Sequence, residues 1–197
     1  VCSSDLGFAQ LIGLKEMAHE EVVKYTKIIA QQVNQFNTLA QELLAFAKGS
    51  STLNLEELNF PDCIEDSLTS LHHNLEQQGM SLETDLQGEA LIHIDPSRFY
   101  RVYENLANNA IEAMSSGGTL TITSKVLDEH LIMTVSDTGH GMEAEVLSKV
   151  FDEFFTHKKH GGTGLGLAIV KSIVADHSGE IAVESILDQG TTFTIKL

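Results

Sequence analysis

Cysteine, tryptophan, proline and positive charge are all scarce in this chain. It has two cysteines, two prolines, no tryptophan, and 12 lysines and arginines against 28 aspartates and glutamates. Cys2 and Cys63 are too few and too far apart for a disulfide framework or a metal site, and they fit a reducing compartment. Cys63 reads as a small core residue. A formal net charge of −16 and a pI near 4.8 repel nucleic-acid backbones and anionic lipid surfaces, so neither is an expected partner. The richest apolar run, residues 165–175, is broken by Lys171 and falls short of membrane-spanning length. No basic-then-apolar leader opens the chain. A cytoplasmic location is therefore expected, with membrane anchoring of a longer protein left open.

What is present, 197 residues with 42% apolar content, has room for one ordinary domain and an appendage. Residues 1–6 spell the in-frame translation of a common sequencing adapter. They are expected to be an assembly artefact, with the gene fragment starting near Gly7 and more protein upstream. Residues 7–14 read as the tail of one helix and a turn. Residues 20–48 contain neither Pro nor Gly, and Val22, Thr26, Ile29, Val33, Phe36, Ala40, Leu43 and Ala47 recur at four- and three-residue steps. That is a heptad seam, which must be buried in a helical hairpin or a dimeric four-helix bundle. Gly49-Ser50-Ser51 breaks it as a linker. Two units are expected, residues 1–50 and residues 51–197.

In the second unit the periodicity alternates. Residues 53–60, 80–86, 90–94, 120–126, 131–135, 181–185 and 193–197 are strand-like. Pro61 and Asp95-Pro96 open helices, the second with Asp95 as N-cap. Further helices are expected over 143–150 and 164–176. The pattern is an α/β two-layer sandwich, its mixed, mostly antiparallel sheet covered by helices on one face and preceded by the long coiled-coil-like helix.

Four segments carry chemistry. Residues 104–113 read Glu-Asn-Leu-Ala-Asn-Asn-Ala-Ile-Glu-Ala on a helix, with Asn105 and Asn109 on one face. Glu104 and Asn108 are rotated about 100° from those neighbours. Three glycine segments follow: Asp137-Thr138-Gly139-His140-Gly141-Met142, then Gly161-Gly162-Thr163-Gly164-Leu165-Gly166-Leu167 leading into a helix, then Gly190-Thr191-Thr192-Phe193. Bare amides at a helix N-terminus cradle phosphate. The glycine pattern is neither a Walker A loop nor a dinucleotide fingerprint. Taken singly, three of these segments have a plain alternative: solvated or capping asparagines, an Asp-Thr-Gly turn, a hairpin turn.

In this order and spacing, the four segments closely resemble the N box and glycine boxes of the GHKL (Bergerat) ATP-binding fold. Within it they are most similar to bacterial two-component sensor histidine kinases, over residues 53–197. The resemblance implies ATP and Mg²⁺ as cofactors. It makes Asn109 the metal ligand and Asn105 its assistant, since a carboxamide oxygen suits a Mg²⁺ already carrying phosphate oxygens. It places the adenine amino group on Asp137, with Gly139, Gly141 and Met142 around it. Gly162, Thr163, Gly164, Leu165, Gly166 and Leu167 would hold the phosphates, and Thr192 would support the adenine pocket. Residues 151–156 resemble the family's F box, making Phe151 part of the ATP site, and the following lid would bring Lys158 to the phosphates. A solvated Lys158-Lys159 pair is the alternative, as is a solvated pair for His157 and His160.

Water-splitting members such as gyrase carry a glutamate four residues before the metal asparagine. Here Asn105 stands there and cannot accept a proton, so transfer of the γ-phosphate to a protein side chain fits better than hydrolysis. The kinases phosphorylate a histidine in a His-Glu/Asp-x-x-Asn/Arg-x-Pro box. His19-Glu20 lacks the proline, and no other histidine has that context. The resemblance thus implies the catalytic part of a sensor histidine kinase, preceded by the remnant of a dimerisation hairpin. Its partners would be ATP, a second copy through the N-terminal helix, and a response regulator receiver domain. A non-catalytic nucleotide-binding or dimerisation module and a GHKL serine kinase of anti-sigma type are the alternatives.

Overall fold

The structure is a computed structural model that describes residues 20–30, 33, 36, 40, 53–87, 91–115, 117–156 and 163–197. Internal contacts divide the chain into two units, Val1–Gly49 and Ser50–Leu197. In the first, residues 20–30 are helical, as are 33, 36 and 40. The Thr26 hydroxyl donates to the Val22 carbonyl at 2.7 Å. Two seam residues, Val33 and Phe36, are 49% and 56% exposed, so within this unit the stripe is uncovered there. The expected turn at 7–14, the last seam residues and the linker lie outside the described residues.

The second unit runs β1 (Glu56–Asn59), α1 (Phe60–Gln77), β2 (Met80–Leu86), β3 (Leu91–Ile94), α2 (Pro96–Ala113), β4 (Gly118–Leu127), β5 (His130–Asp137), α3 (Ala144–Leu147), α4 (Gly166–Asp176), β6 (Glu180–Ile186) and β7 (Gly190–Lys196). Five strands form one sheet in the order β2-β4-β5-β7-β6, and β1 with β3 makes a separate antiparallel pair. Within the larger sheet only β2 and β4 are parallel. Leu120 and Ile122 of β4, Leu131, Met133 and Val135 of β5, and Phe193 and Ile195 of β7 point into the core. Their alternates Thr121, Thr123, Thr134, Thr192 and Thr194 form the half-exposed outer face.

The inner face is covered by α1, α2 and α4. Helix α2 buries Phe99, Val102, Tyr103, Leu106, Ala107 and Ala110, a single stripe at helical spacing. Phe60 meets Phe99 edge to face at 5.6 Å. This explains why the first strand ends one residue earlier than expected: Phe60 is core and belongs to the helix. Two other elements begin or end differently. Helix α3 closes after Leu147 because the chain continues in i→i+3 turns, Lys149 N–H to Val146 O and Asp152 N–H to Lys149 O. Helix α4 starts at Gly166, because Gly164 has φ +69° and lies outside right-handed helical space.

The start of α2 and the end of α4 are bolted together. Asp95 caps α2, accepting from Arg98 N–H at 3.1 Å. Arg98 in turn reaches Asp176 at 2.7 Å. The Asp95 amide donates to His177 Nε2 at 2.9 Å. Burial alone would raise the Asp95 carboxyl, but hydrogen bonds from Ser97, Asn54 N–H and Arg98 N–H, with the Arg98 charge, hold it below its ordinary value.

Candidate functional site

Asn105 and Asn109 are half-buried on one side of α2, whereas Glu104 and Asn108 are exposed. Asn105 Nδ2 donates to the Arg101 carbonyl at 2.8 Å, which fixes the amide and directs Oδ1 towards α4. A Cβ on Gly166 would stand 2.7 Å from that oxygen. The first residue of α4 is glycine because the carboxamide of α2 occupies the space a side chain would need. Leu165, just before it, is fully buried, so its side chain serves the core and only its backbone faces the helix N-terminus. Thr163 Oγ1 accepts from the Leu165 amide at 3.3 Å, holding the turn that enters the helix. Leu167 is half-buried and packs against the core.

Asp137 ends β5 and is 7% exposed. Burial pushes its carboxyl above the ordinary value; hydrogen bonds from the Gly139 and Thr191 amides and the charge of His140 offset this only partly. The Gly139 bond is 2.8 Å long. The turn after Asp137 is seated on the end of α2. A Cβ on Gly139 would come within 2.7 Å of the Ala113 backbone, and the His140 amide donates to the Ala113 carbonyl at 3.1 Å. On the other side, a Cβ on Gly190 would strike the Asp137 carbonyl, and one on Gly141 the Ile186 carbonyl. The Met142 amide donates to Ser185 Oγ at 2.8 Å.

The family resemblance gives Thr192 a part in supporting the adenine pocket. Its hydroxyl bonds Ser136 at 2.8 Å on the outer face of the sheet. Thr191 is the residue paired with Asp137 across β5 and β7, and it is 6% exposed. The physical reason is strand alternation: Thr191 shares the inward face with Phe193, and Thr192 does not. Sequence reading missed Thr191 and Ser185. Counting back by two from Phe193 would have found the first; nothing local marks the second, whose partners lie up to 43 residues away.

Phe151 packs on Phe193, ring centroids 6.3 Å apart, with Lys171 Nζ 5.7 Å above its ring. It anchors the segment after α3 to the core. Gly164 then lies against that segment, where a Cβ would come 2.7 Å from the Phe155 carbonyl. Lys158 and Gly162, with His157, Lys159 and His160, lie outside the described residues.

Asn105 thus meets Gly166 at the N-terminus of α4, Asn109 lies one turn further along the same side of α2, and the end of α2 at Ala113 seats the Asp137–Gly139 turn, with Thr191 paired to Asp137. For a divalent cation the donor chemistry fits Mg²⁺ completed by phosphate and water. The Asn105 oxygen is neutral and hard, and among the described residues no group of three His, Cys, Asp or Glu could hold a metal. Among the same residues no helix is long and apolar enough to cross a membrane.

Residues 94–197 match the histidine kinase-, DNA gyrase B- and HSP90-like ATPase family. The chain is 34% identical to the sensor histidine kinase ZraS of Salmonella typhi over 197 residues, 99% of this chain and 42% of that protein. It is 32% identical to sporulation kinase E of Bacillus subtilis over 193 residues, 97% of this chain and 26% of that protein. It therefore spans less than half the length of these curated relatives. Among solved structures, histidine kinase ThkA in complex with the response regulator protein TrrA superposes with a TM-score of 0.82 at 25% identity, covering 100% of this chain and 57% of that one. The chain belongs to the histidine kinase-, DNA gyrase B- and HSP90-like ATPase family, and residues 94–197 are its ATP-binding domain.

Proposed function

We propose, on the premise of that family, that the chain is the catalytic part of a sensor histidine kinase, moving the γ-phosphate of Mg·ATP to a histidine that residues 1–197 do not supply. The observation that carries this reading is the Asn105–Gly166 contact. It brings a neutral oxygen donor against a helix N-terminus, where phosphate is favoured by free amides and the helix dipole. Asp137, buried with only acceptor oxygens to offer, suits an amino group of the base. Asn109 is the proposed ligand of Mg²⁺, with Asn105 assisting, and the cation would screen the phosphate charge. Gly139, Gly141, Met142, Gly164 and Leu165 supply backbone. Phe151 holds the entrance to the lid segment, in which Lys158 and Gly162 are proposed to close on the phosphates.

The residue one turn before Asn109 on that face is Asn105, which cannot take up a proton. A water activated from position 105 would find no base in that residue, which favours transfer over hydrolysis. In the whole protein the phosphohistidine would pass its phosphoryl group to an aspartate of a response regulator receiver domain. The exposed seam at Val33 and Phe36 supports self-association through the N-terminal helix.

The test is incubation with γ-labelled ATP, alone and with a histidine-bearing helical hairpin from a sensor kinase supplied in trans. Acid-labile label on the added hairpin and none on this chain is expected. Label on the chain itself, or free phosphate in place of labelled hairpin, would overturn the reading.

A further inference from the structure

Ser185 sits near the end of β6 with its hydroxyl within bonding distance of three groups. It accepts from the Met142 amide at 2.8 Å, donates to the Gly190 carbonyl at 3.0 Å, and lies 2.9 Å from Thr191 Oγ1. A serine hydroxyl has one proton and two lone pairs. The Gly190 carbonyl can only accept, so it takes the proton. The Met142 amide can only donate, so it takes one lone pair. One lone pair remains, and Thr191 must then be the donor. The single Thr191 proton is thereby turned onto Ser185, and its free lone pairs are all it can offer elsewhere. Thr191 is paired with Asp137, whose ionised carboxylate is likewise an acceptor.

We propose that Ser185 is a positioning residue that sets the hydrogen-bond polarity of Thr191, so that the pocket offers the base acceptors alone and selects a 6-amino purine over a 6-oxo purine. The inference rests on the nucleotide reading above. A 6-amino group brings two N–H donors to these acceptors. A 6-oxo group brings an oxygen, which would face Asp137 and Thr191 with no proton between them. Leaving buried polar groups unpaired is the strongest basis for such discrimination. Without Ser185, the Thr191 hydroxyl is free to rotate and donate to a 6-oxo group.

The experiment is calorimetric titration of Mg·ATP and Mg·ITP, which differ at the 6-position and at N1, into the whole chain and its variants. The parent is expected to prefer ATP. Ser185→Ala should lower the ATP-to-ITP preference at least tenfold, and Ser185→Thr, which keeps the hydroxyl, should restore it. Thr191→Val should lower the preference too, and adding Ser185→Ala to it should change the ratio less than twofold. A Ser185→Ala variant that weakens both nucleotides equally, or whose effect adds to that of Thr191→Val, would reduce Ser185 to a hairpin staple and overturn the inference alone. Failure of the parent to bind ATP would overturn the nucleotide reading and this inference with it.

Discussion

Asn105 and Gly166 are 61 residues apart, and the carboxamide oxygen of the first stands 2.7 Å from where a side chain on the second would begin. Helix propensity alone would favour alanine at position 166 by up to about 1 kcal/mol. The site requires the opposite. Gly166→Ala is therefore expected to leave the melting temperature within a few degrees of the parent while weakening Mg·ATP binding at least tenfold. Calorimetric titration beside thermal unfolding checks both halves.

Asn109 is proposed to act through the cation. Asn109→Ala should weaken ATP binding by about tenfold in the presence of Mg²⁺, an ordinary loss for one ligand. In EDTA the parent and the variant should bind ATP alike. Equal losses in both conditions would assign Asn109 to the nucleotide itself.

Burial raises the Asp137 carboxyl, so ionising it costs the free fold stability. By linkage, stability is highest below the ordinary carboxylate value of 3.8, declines as pH rises through the interval up to the folded value, and carries a constant penalty above it. Asp137→Asn removes that penalty. At pH 7 the nucleotide-free variant should unfold at a temperature no lower than the parent, yet bind no measurable ATP.

Asp95 has the opposite sign. Its folded value is lowered, so its contribution is complete above the ordinary value of 3.8 and fades as pH falls through the folded value. Asp95→Ala removes an N-cap and the bonds to Asn54 and Ser97, for an expected loss of about 2 kcal/mol at pH 7. Urea unfolding at pH 7 and in steps below pH 4 should show the gap between parent and variant shrinking.

The two threonines of the last glycine segment give a paired control. Thr192→Val breaks only the outer-face bond to Ser136 and should leave ATP affinity within twofold. Thr191→Val removes a hydroxyl on the Asp137 face and should lower that affinity several-fold. Reversed effects would restore the assignment made from sequence.

Local signals were readable without coordinates. Asp95-Pro96 opens α2, the 3.6-residue stripe from Phe99 to Ala110 marks its buried face, and Asp128-Glu129 closes the β4–β5 hairpin with φ values of 51° and 65°. The four motif segments and their order were equally visible. Which of Thr191 and Thr192 faces Asp137 was harder to read, because the glycine motif alone does not say which face of β7 each residue takes.

Sequence alone determined most of the elements and the segments proposed for the nucleotide site, because caps, periodicity and turn chemistry act over a few neighbouring residues. Tertiary structure decided that β2 pairs in parallel with β4, that Asn105 meets Gly166, that Gly139 rests on Ala113, and that Ser185 governs Thr191. Each of these depends on which distant surfaces bury the most apolar area together while keeping most buried polar groups bonded. That balance is struck over the whole core, and no local stretch of residues contains it.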